Sequence, residues 1–165
     1  MQNGYWYIIL GYKKSLHQNT CAQLFSTKFG FSACYPQANT KGETLGTALE
    51  NLVNDFGAPV HLTFDGYLSQ LSDNTLFQKK LQYYSIPYHI SAPRRPNDNP
   101  AEGSIREIER RYYCVKQAIN VPDRLWDYLM VWICETRNIS ISSPKNADGR
   151  IPTEILTGDT PDISE

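Results

Sequence analysis

The chain lacks several features that each mark a class of protein. No apolar run approaches the ~18 residues that a membrane-spanning helix needs. The N-terminus has no basic segment leading into an apolar one, so we expect no signal peptide. No C-x-x-C pair and no ligand spacing of histidines is present, which disfavours a structural zinc site. We therefore expect an intracellular protein without membrane contact, with reduced and mostly buried thiols at Cys21, Cys34, Cys114 and Cys134.

Neither sign of charge predominates. The 16 Lys and Arg residues nearly balance the 17 Asp and Glu residues, for a formal net charge of -1. A free-standing nucleic-acid-binding protein is usually strongly basic, so any such contact must come from a local patch. Acidic side chains are also missing from the first 42 residues, since Glu43 is the first one. The 165 residues, 41% of them hydrophobic, suit one domain with a sizeable core.

Hydrophobic periodicity predicts three strands followed by alternating helices and strands. A Gly at the turn makes the second and third strands a hairpin, and the simplest order of the first three is antiparallel. This succession predicts an α/β fold with a mixed sheet flanked by helices. The predicted strands are residues 5–12, 21–27, 31–35, 60–64 and 86–90, and the predicted helices are residues 45–56, 73–84, 100–119, 123–137 and 152–156.

Two carboxylates lie at positions where catalytic groups are common, one after a predicted strand and one at the start of a predicted helix. Asp65 comes at the carboxyl end of a predicted strand, where catalytic groups of α/β sheets gather, although Asp65-Gly66 is also an ordinary turn dipeptide. Glu102 is the third residue of a predicted helix that Asn99 would cap, where it could equally be the glutamate of a capping box. If the two carboxylates converge, they suit Mg²⁺, which binds through few carboxylates plus substrate phosphates. Two-metal phosphoryl transfer uses such a site.

The helical wheel of residues 100–119 separates an apolar face from a polar one. The apolar face is expected to pack on the sheet, and the polar face places Glu102 beside basic residues. The apolar face comprises Ile105, Ile108, Tyr112, Val115 and Ile119, and the polar face comprises Glu102, Arg106, Arg110, Tyr113 and Gln117.

Five segments, residues 63–66, 91–102, 105–111, 125–128 and 152–158, resemble in sequence and in order a known family, the integrase catalytic core of retroviruses and LTR retrotransposons. Thirty-six residues separate Asp65 from Glu102, close to the spacing in the family's name, D,D-35-E. Residues 152–158 resemble the P-x-E-x-L-x-G segment that closes retrotransposon cores, and residues 125–128 resemble their tryptophan-bearing helix. The likeness covers roughly residues 5–160, and the segments that carry it at the site are 63–66, 91–102 and 105–111.

The resemblance implies a ribonuclease H-like fold with a five-stranded sheet, three antiparallel strands then two parallel. It also implies Mg²⁺ or Mn²⁺ as cofactor and DNA strand transfer as activity. Asp65 and Glu102 would be the second and third acids of the catalytic triad and the metal ligands. DNA would be the partner, with a homodimer, a nuclear location and no small-molecule cofactor. The residues implied in DNA contacts are Arg94, Arg95, Asn97, Asn99, Arg106, Arg110, Arg111 and Lys116.

One departure from the family pattern concerns the first acid of the triad. That Asp belongs in the first strand, where this chain offers Tyr7, Ile8 and Ile9. No neutral side chain replaces a bridging carboxylate, so the resemblance leaves present-day catalysis open and predicts a degenerate copy or a damaged gene start. A rewired site using Glu43 or Asp73 is an alternative.

The domain boundaries follow from the same likeness. We expect residues 1–160 to form the integrase core-like domain and residues 161–165 to begin a truncated C-terminal extension, without the family's zinc-binding and C-terminal DNA-binding modules.

Three functions remain open at this point. The first is strand transfer, and the second is an inactive DNA-binding or oligomerisation module with the same fold. The third is a ribonuclease H-type nuclease, although such enzymes use four acids. A Ser/His/Asp hydrolase is disfavoured because no nucleophile-elbow motif is present.

Overall fold

Five strands form one mixed sheet in the computed structural model of the protein. The structure describes residues 2–11, 13–64, 75–91, 100–140 and 149–162, with the side chains of the third helix described from residue 103 onward. The strands lie in the order β3-β2-β1-β4-β5. Their bounds are β1 Gly4–Leu10, β2 Cys21–Thr27, β3 Ser32–Gln37, β4 Leu62–Phe64 and β5 Tyr88–Ile90.

The pairing of the strands matches the predicted mixed sheet. β1 pairs antiparallel with β2, and β2 pairs antiparallel with β3. β4 runs parallel to β1, and β5 runs parallel to β4. The prediction of three antiparallel strands followed by two parallel ones is therefore confirmed.

Within the described residues, five helices pack on this sheet. A 3-10 turn over Asp123–Leu125 precedes the fourth, so the helix predicted for residues 123–137 begins in the tighter form. No helix within the described ranges is long and apolar enough to cross a membrane. The helices are α1 Gly42–Phe56, α2 Leu76–Tyr83, α3 Pro100–Ala118, α4 Trp126–Asn138 and α5 Pro152–Thr157.

Each face of the sheet has its own hydrophobic core, because successive strand residues point to opposite faces. Trp6 and Ile8 of β1 pack on the α1 and α2 side, with Phe25 and the buried leucines of α1. Tyr7 and Ile9 of β1 pack on the α3 and α4 side. The second core also contains Leu24, Ile108, Trp126, Leu129, Met130 and Ile133.

One detail differs from the expected burial, whereas the thiols are mostly buried, as expected. Ile119 is 71% exposed, because α3 ends at Ala118 and Asn120 turns the chain away with a φ of 50°. Its assignment to the packed face was wrong, whereas Ile105, Ile108, Tyr112 and Val115 do pack there. Among the thiols, Cys114 is exposed and the other three are buried, all of them free.

Candidate active site

The side chains of both predicted acids, Asp65 and Glu102, lie outside the described residues, whereas the elements that lead to them are described. β4 ends at Phe64, one residue before Asp65, and Asp65 itself lies outside the described residues. Glu102 is the third residue of α3, with its side chain outside them as well. The loop residues predicted to touch DNA also lie outside; they are Arg94, Arg95, Asn97 and Asn99. The roles of Asp65 and Glu102 therefore stay predictions, while the positions of β4 and α3 in the fold are described.

Those elements converge on β1. The last paired residue of β4, Phe64, lies beside Trp6, so Tyr7 is the next residue of β1 beyond the pairing. Ile105 of α3, one turn after Glu102, lines the same groove as Tyr7 and Ile9. The end of β4 and the first turns of α3 thus lie against adjoining residues of β1, Trp6 for β4 and Tyr7 for α3.

A first acid of the triad would have to lie on the face of β1 that α3 covers, which limits its possible positions. Tyr7 and Ile9 point to the face covered by α3, and Ile8 points to the opposite core. A carboxylate at position 8 would therefore have the sheet between it and α3. Among the described residues, no group of three His, Cys, Asp or Glu side chains could hold a metal ion.

A groove of about 710 Å³ runs between β1 and α3 from this point. Its walls include Tyr7, Ile9 and Ile105 near the start of α3, and Tyr112 and Trp126 further along. The groove carries charged groups of both signs at its rim. The rim residues are Lys13, Glu109, Lys116 and Asp123.

The arginines predicted to contact phosphates are partly engaged within the protein. Glu107 accepts hydrogen bonds from Arg110 at 2.9 Å and from Arg111 at 2.8 Å. These hydrogen bonds, first from Arg110 and then from Arg111, lower the pKa of Glu107 to about 2. Arg106 is exposed on the same helix. Phosphate contacts by Arg110 and Arg111 would therefore have to compete with Glu107.

Lys116 is engaged in the same way at the other end of α3. Its Nζ lies 2.7 Å from a carboxylate oxygen of Asp123, and the Nζ of Lys13 lies 3.0 Å from the other oxygen. Hydrogen bonds from Lys116 and then Lys13 lower the pKa of Asp123 to about 2. This trio ties the segment after β1 to the junction between α3 and α4.

Of the two acids considered for a rewired site, only Glu43 lies within the described residues. Glu43 stands in the first turn of α1, which packs on the face of the sheet opposite α3. Asp73 lies outside the described residues. Glu43 therefore has the sheet between it and the helix of Glu102.

Two features of the site were missed by sequence reasoning. The first is Glu107, whose spacing of three and four residues from Arg110 and Arg111 is a readable helix signal. The second is the pair Arg137 and Asn138 at the end of α4, which binds Ser32 across the fold. No local pattern in the sequence announces that second contact.

Solved structures with the same fold include the catalytic core domain of BIV integrase. The two match at a TM-score of 0.67 and 13% identity, over 93% of this chain and 93% of that one. The HTLV-2 integrase catalytic core domain in complex with magnesium (dimeric form) matches at a TM-score of 0.64 and 17% identity, over 92% and 94%. The chain has the fold of a retroviral integrase catalytic core.

The same integrase-core fold also occurs within a larger assembly. A chain of the simian T-cell lymphotropic virus intasome, in complex with PP2A regulatory subunit B56 gamma, matches at a TM-score of 0.68 and 14% identity. The match covers 98% of this chain and 57% of that one. No protein-family model and no curated protein sequence matches the chain. At these identities the likeness establishes the ribonuclease H-like fold alone.

Proposed function

We propose that this chain is an integrase catalytic core of a retrovirus-like or retrotransposon element, built for DNA strand transfer. The observation that carries the proposal is the convergence on β1. The strand that leads into Asp65 pairs with β1 from Gly4 to Trp6, and the helix that bears Glu102 lines a groove with the adjoining β1 residues Tyr7 and Ile9. The fold shared with BIV and HTLV-2 integrase cores supports the same conclusion.

Asp65 and Glu102 are the residues that would hold Mg²⁺ or Mn²⁺. The HTLV-2 integrase catalytic core domain, which has the same fold, is in complex with magnesium. When bound, such an ion stabilises the negative charge that develops on transferring phosphoryl oxygens. The described residues add no third carboxylate from β1, so the fit is to a site of two protein ligands completed by substrate phosphates, which Mg²⁺ accepts.

DNA is the proposed partner, and its contacts lie on and before α3. Arg94, Arg95, Asn97 and Asn99 would touch the strand near the acids. Arg106, Arg110, Arg111 and Lys116 of α3 would contact backbone phosphates, which fix position without reading sequence. A protein of this activity would work in the nucleus.

The missing first acid makes strong activity unexpected. A tyrosine or an isoleucine cannot take the place of a bridging carboxylate, so we expect a degenerate copy with badly impaired metal affinity. The alternation of β1 limits the position at which the acid could be restored. Of positions 7, 8 and 9, Tyr7 and Ile9 lie in the core that α3 covers, and Ile8 lies in the opposite core.

Restoring the acid tests the enzyme proposal. Strand transfer and nicking of element-end DNA would be assayed with Mn²⁺ for the wild type and for Tyr7→Asp, Ile9→Asp and Ile8→Asp. We expect little or no activity from the wild type, gain of activity from Tyr7→Asp or Ile9→Asp, and none from Ile8→Asp. Circular dichroism confirms that each variant folds, since all three place a charge in a partly or fully buried strand.

A Glu102→Gln substitution added to the restored variant supplies the control. It should abolish the regained activity while leaving the fold intact. Folded variants that stay inactive at positions 7, 8 and 9 would overturn strand transfer and favour the second candidate.

The second candidate is a catalytically inactive DNA-binding or oligomerisation module with the same fold. The observation that favours it is the outer face of α4, where Tyr128 is 51% exposed and Trp132 is 50% exposed. Large aromatic side chains are enriched where protein surfaces meet. This candidate requires self-association or DNA binding without any metal-dependent chemistry.

A further inference from the structure

A second groove, of about 500 Å³, follows the outer face of α4 and is called the α4 groove below. None of its lining residues lines the groove between β1 and α3. Its volume lies in the range of small-molecule binding sites. The α4 residues that line it are Asp127, Tyr128, Val131, Trp132 and Glu135, and the lining is completed by His17, Asn19 and Pro36.

Contacts between α4 and the connection from β1 to β2 fix the walls of the α4 groove. The side-chain amide of Asn19 donates to a carboxylate oxygen of Asp127 at 2.9 Å. The hydroxyl of Tyr128 lies 2.9 Å from Nε2 of His17, and the two rings are in tilted contact. A ligand would therefore enter a preformed groove, which lowers the entropic cost of binding.

The charged side chains of the α4 groove are both negative. Asp127 is 2% exposed, and its hydrogen bonds come from neutral donors, which include Asn19 and the backbone N–H of Tyr128. Burial alone would raise the pKa of Asp127, but hydrogen bonds from Ser15 and Asn19 outweigh burial and lower it. Glu135 is exposed. No lysine or arginine lines the groove, and within the described residues neither carboxylate forms an ion pair.

The surface of the α4 groove between the two carboxylates is apolar and aromatic. Tyr128 and Trp132 are 51% and 50% exposed, and Val131 lies between them in the sequence of α4. The faces of such rings attract cations, tryptophan most strongly. The groove therefore suits a ligand that is both cationic and aliphatic.

The separation of the two carboxylates selects the shape of that ligand. Asp127 and Glu135 are eight positions apart in α4, so they lie about 12 Å apart along the helix axis, at ~1.5 Å per residue. A single metal ion cannot bridge this distance. A linear aliphatic chain with an ammonium group at each end can, because its charges stand apart and its methylene groups cover the apolar surface between them.

We propose that the α4 groove binds a linear aliphatic polyamine, with one ammonium group near Glu135, another near Asp127 and the methylene chain along Trp132. The buried charge of Asp127 attracts a cation without direct contact, because water and salt screen it less than an exposed charge. No residue of α3 takes part, so this binding site is independent of the proposed strand transfer.

Spermidine is the probe, and Trp132 reports its binding. The chain has three tryptophans, and the other two, Trp6 and Trp126, are at most 5% exposed, so a ligand at the surface changes the fluorescence of Trp132 first. Spermidine, putrescine and butylamine would be titrated into the full chain at constant ionic strength, with calorimetry as a second readout. We expect spermidine to bind about tenfold more tightly than butylamine, because only spermidine reaches both carboxylates. Putrescine, which is shorter, should lie between them.

Three variants test the parts of the α4 groove. Glu135→Gln removes one negative end and should weaken spermidine binding about fivefold. Glu109→Gln removes another exposed carboxylate, on α3, and should leave the affinity unchanged. Trp132→Leu keeps an apolar side chain but removes the ring, so calorimetry should show both spermidine and butylamine weakened about threefold. Melting temperatures check that each variant folds.

Several results would overturn the polyamine site. They are no binding of any amine, equal affinity for spermidine and butylamine, and equal losses in Glu135→Gln and Glu109→Gln. A fluorescence change that follows protein concentration instead of amine concentration would assign the α4 groove to a second copy of the chain. Binding of an arginine-containing peptide without binding of spermidine would assign it to a protein partner. The titration contains neither DNA nor metal, so its result and that of the strand-transfer assay are independent.

Discussion

Glu107 sets how much positive charge α3 can offer to a phosphate backbone. Its carboxylate holds Arg110 and Arg111 through hydrogen bonds of 2.8–2.9 Å. Salt bridges at such exposed positions are weak, so a polyanion could compete for both arginines. The near-neutral charge of the whole chain makes this local balance more important than it would be in a basic protein.

Removing Glu107 should therefore strengthen DNA binding. In Glu107→Gln, two released guanidinium groups would contact phosphates, and the slope of log affinity against log salt should steepen by up to about 2, at ~0.9 per phosphate neutralised. Fluorescence anisotropy with a duplex across a salt series measures both effects.

Glu109→Gln is the matched control for that experiment. It removes the same charge from the same helix, and within the described residues Glu109 forms no ion pair. A similar gain in both variants would mean that net charge alone explains the result, and the release of Arg110 and Arg111 would be disproved.

Glu107 also predicts how stability responds to acid. Its pKa is lowered in the folded protein to about 2, so the stabilisation is complete above the ordinary value near 4.5 and is lost as the pH falls towards 2. Because about a third of the side chain is exposed, we expect a contribution of only about 1 kcal/mol. Urea unfolding should show wild type more stable than Glu107→Gln at pH 7 and equal to it near pH 2. A constant difference across this range would refute the ion-pair explanation.

At the scale of elements, the sequence predicts regular structure well and contacts between elements poorly. The apolar stripe of α1 and the alternation in β1 are local periodic signals, and both elements form as expected. Ile119 fits the stripe of α3 but lies past its end, because periodicity carries no stop signal there.

The candidate site divides along the same line. Local sequence patterns predicted that Asp65 follows a strand and that Glu102 lies in the first turn of a helix, and β4 and α3 have the bounds that this requires. The bond from Arg137 to Ser32 joins residues 105 positions apart, so only the three-dimensional fold reveals it. The sequence likewise does not predict which β1 residues face α3, because that depends on which helices cover each face of the sheet.

Two helical glycines allow the packing of elements to be tested. A Cβ at Gly46 would stand 2.7 Å from Cγ and 3.0 Å from the backbone carbon of Leu76, where α1 meets α2. A Cβ at Gly103 in α3 would meet nothing within 4 Å. The same substitution to alanine should therefore have opposite effects at the two positions.

We expect Gly46→Ala to destabilise the protein by about 1–2 kcal/mol, because the steric cost of overpacking exceeds the ~1 kcal/mol gain in helix propensity. Gly103→Ala should stabilise it by up to about 1 kcal/mol. Urea unfolding measures both. Equal effects at the two positions would show that α1 and α2 can separate without cost.

At the scale of the whole molecule, the outer face of α4 has the character of an interface. The rings of Tyr128 and His17 are in tilted contact with centroids 5.0 Å apart, and a groove of about 500 Å³ lies between α4, His17 and Pro36. Trp132 projects beside this groove with half of its surface exposed. An exposed tryptophan next to an apolar groove is costly in water and favourable when covered.

Self-association through this face would be disrupted by a charge at its centre. We expect the wild type to sediment as a dimer at tens of micromolar, and Trp132→Glu to sediment as a monomer, because the interface would then bury an unpaired carboxylate. Tyr83→Glu, at a 78% exposed tyrosine of α2, is the control and should remain dimeric. A wild type that is monomeric at ~100 μM would remove the interface and the oligomerisation candidate with it. A Trp132→Glu variant that stays dimeric would place the contact on another surface.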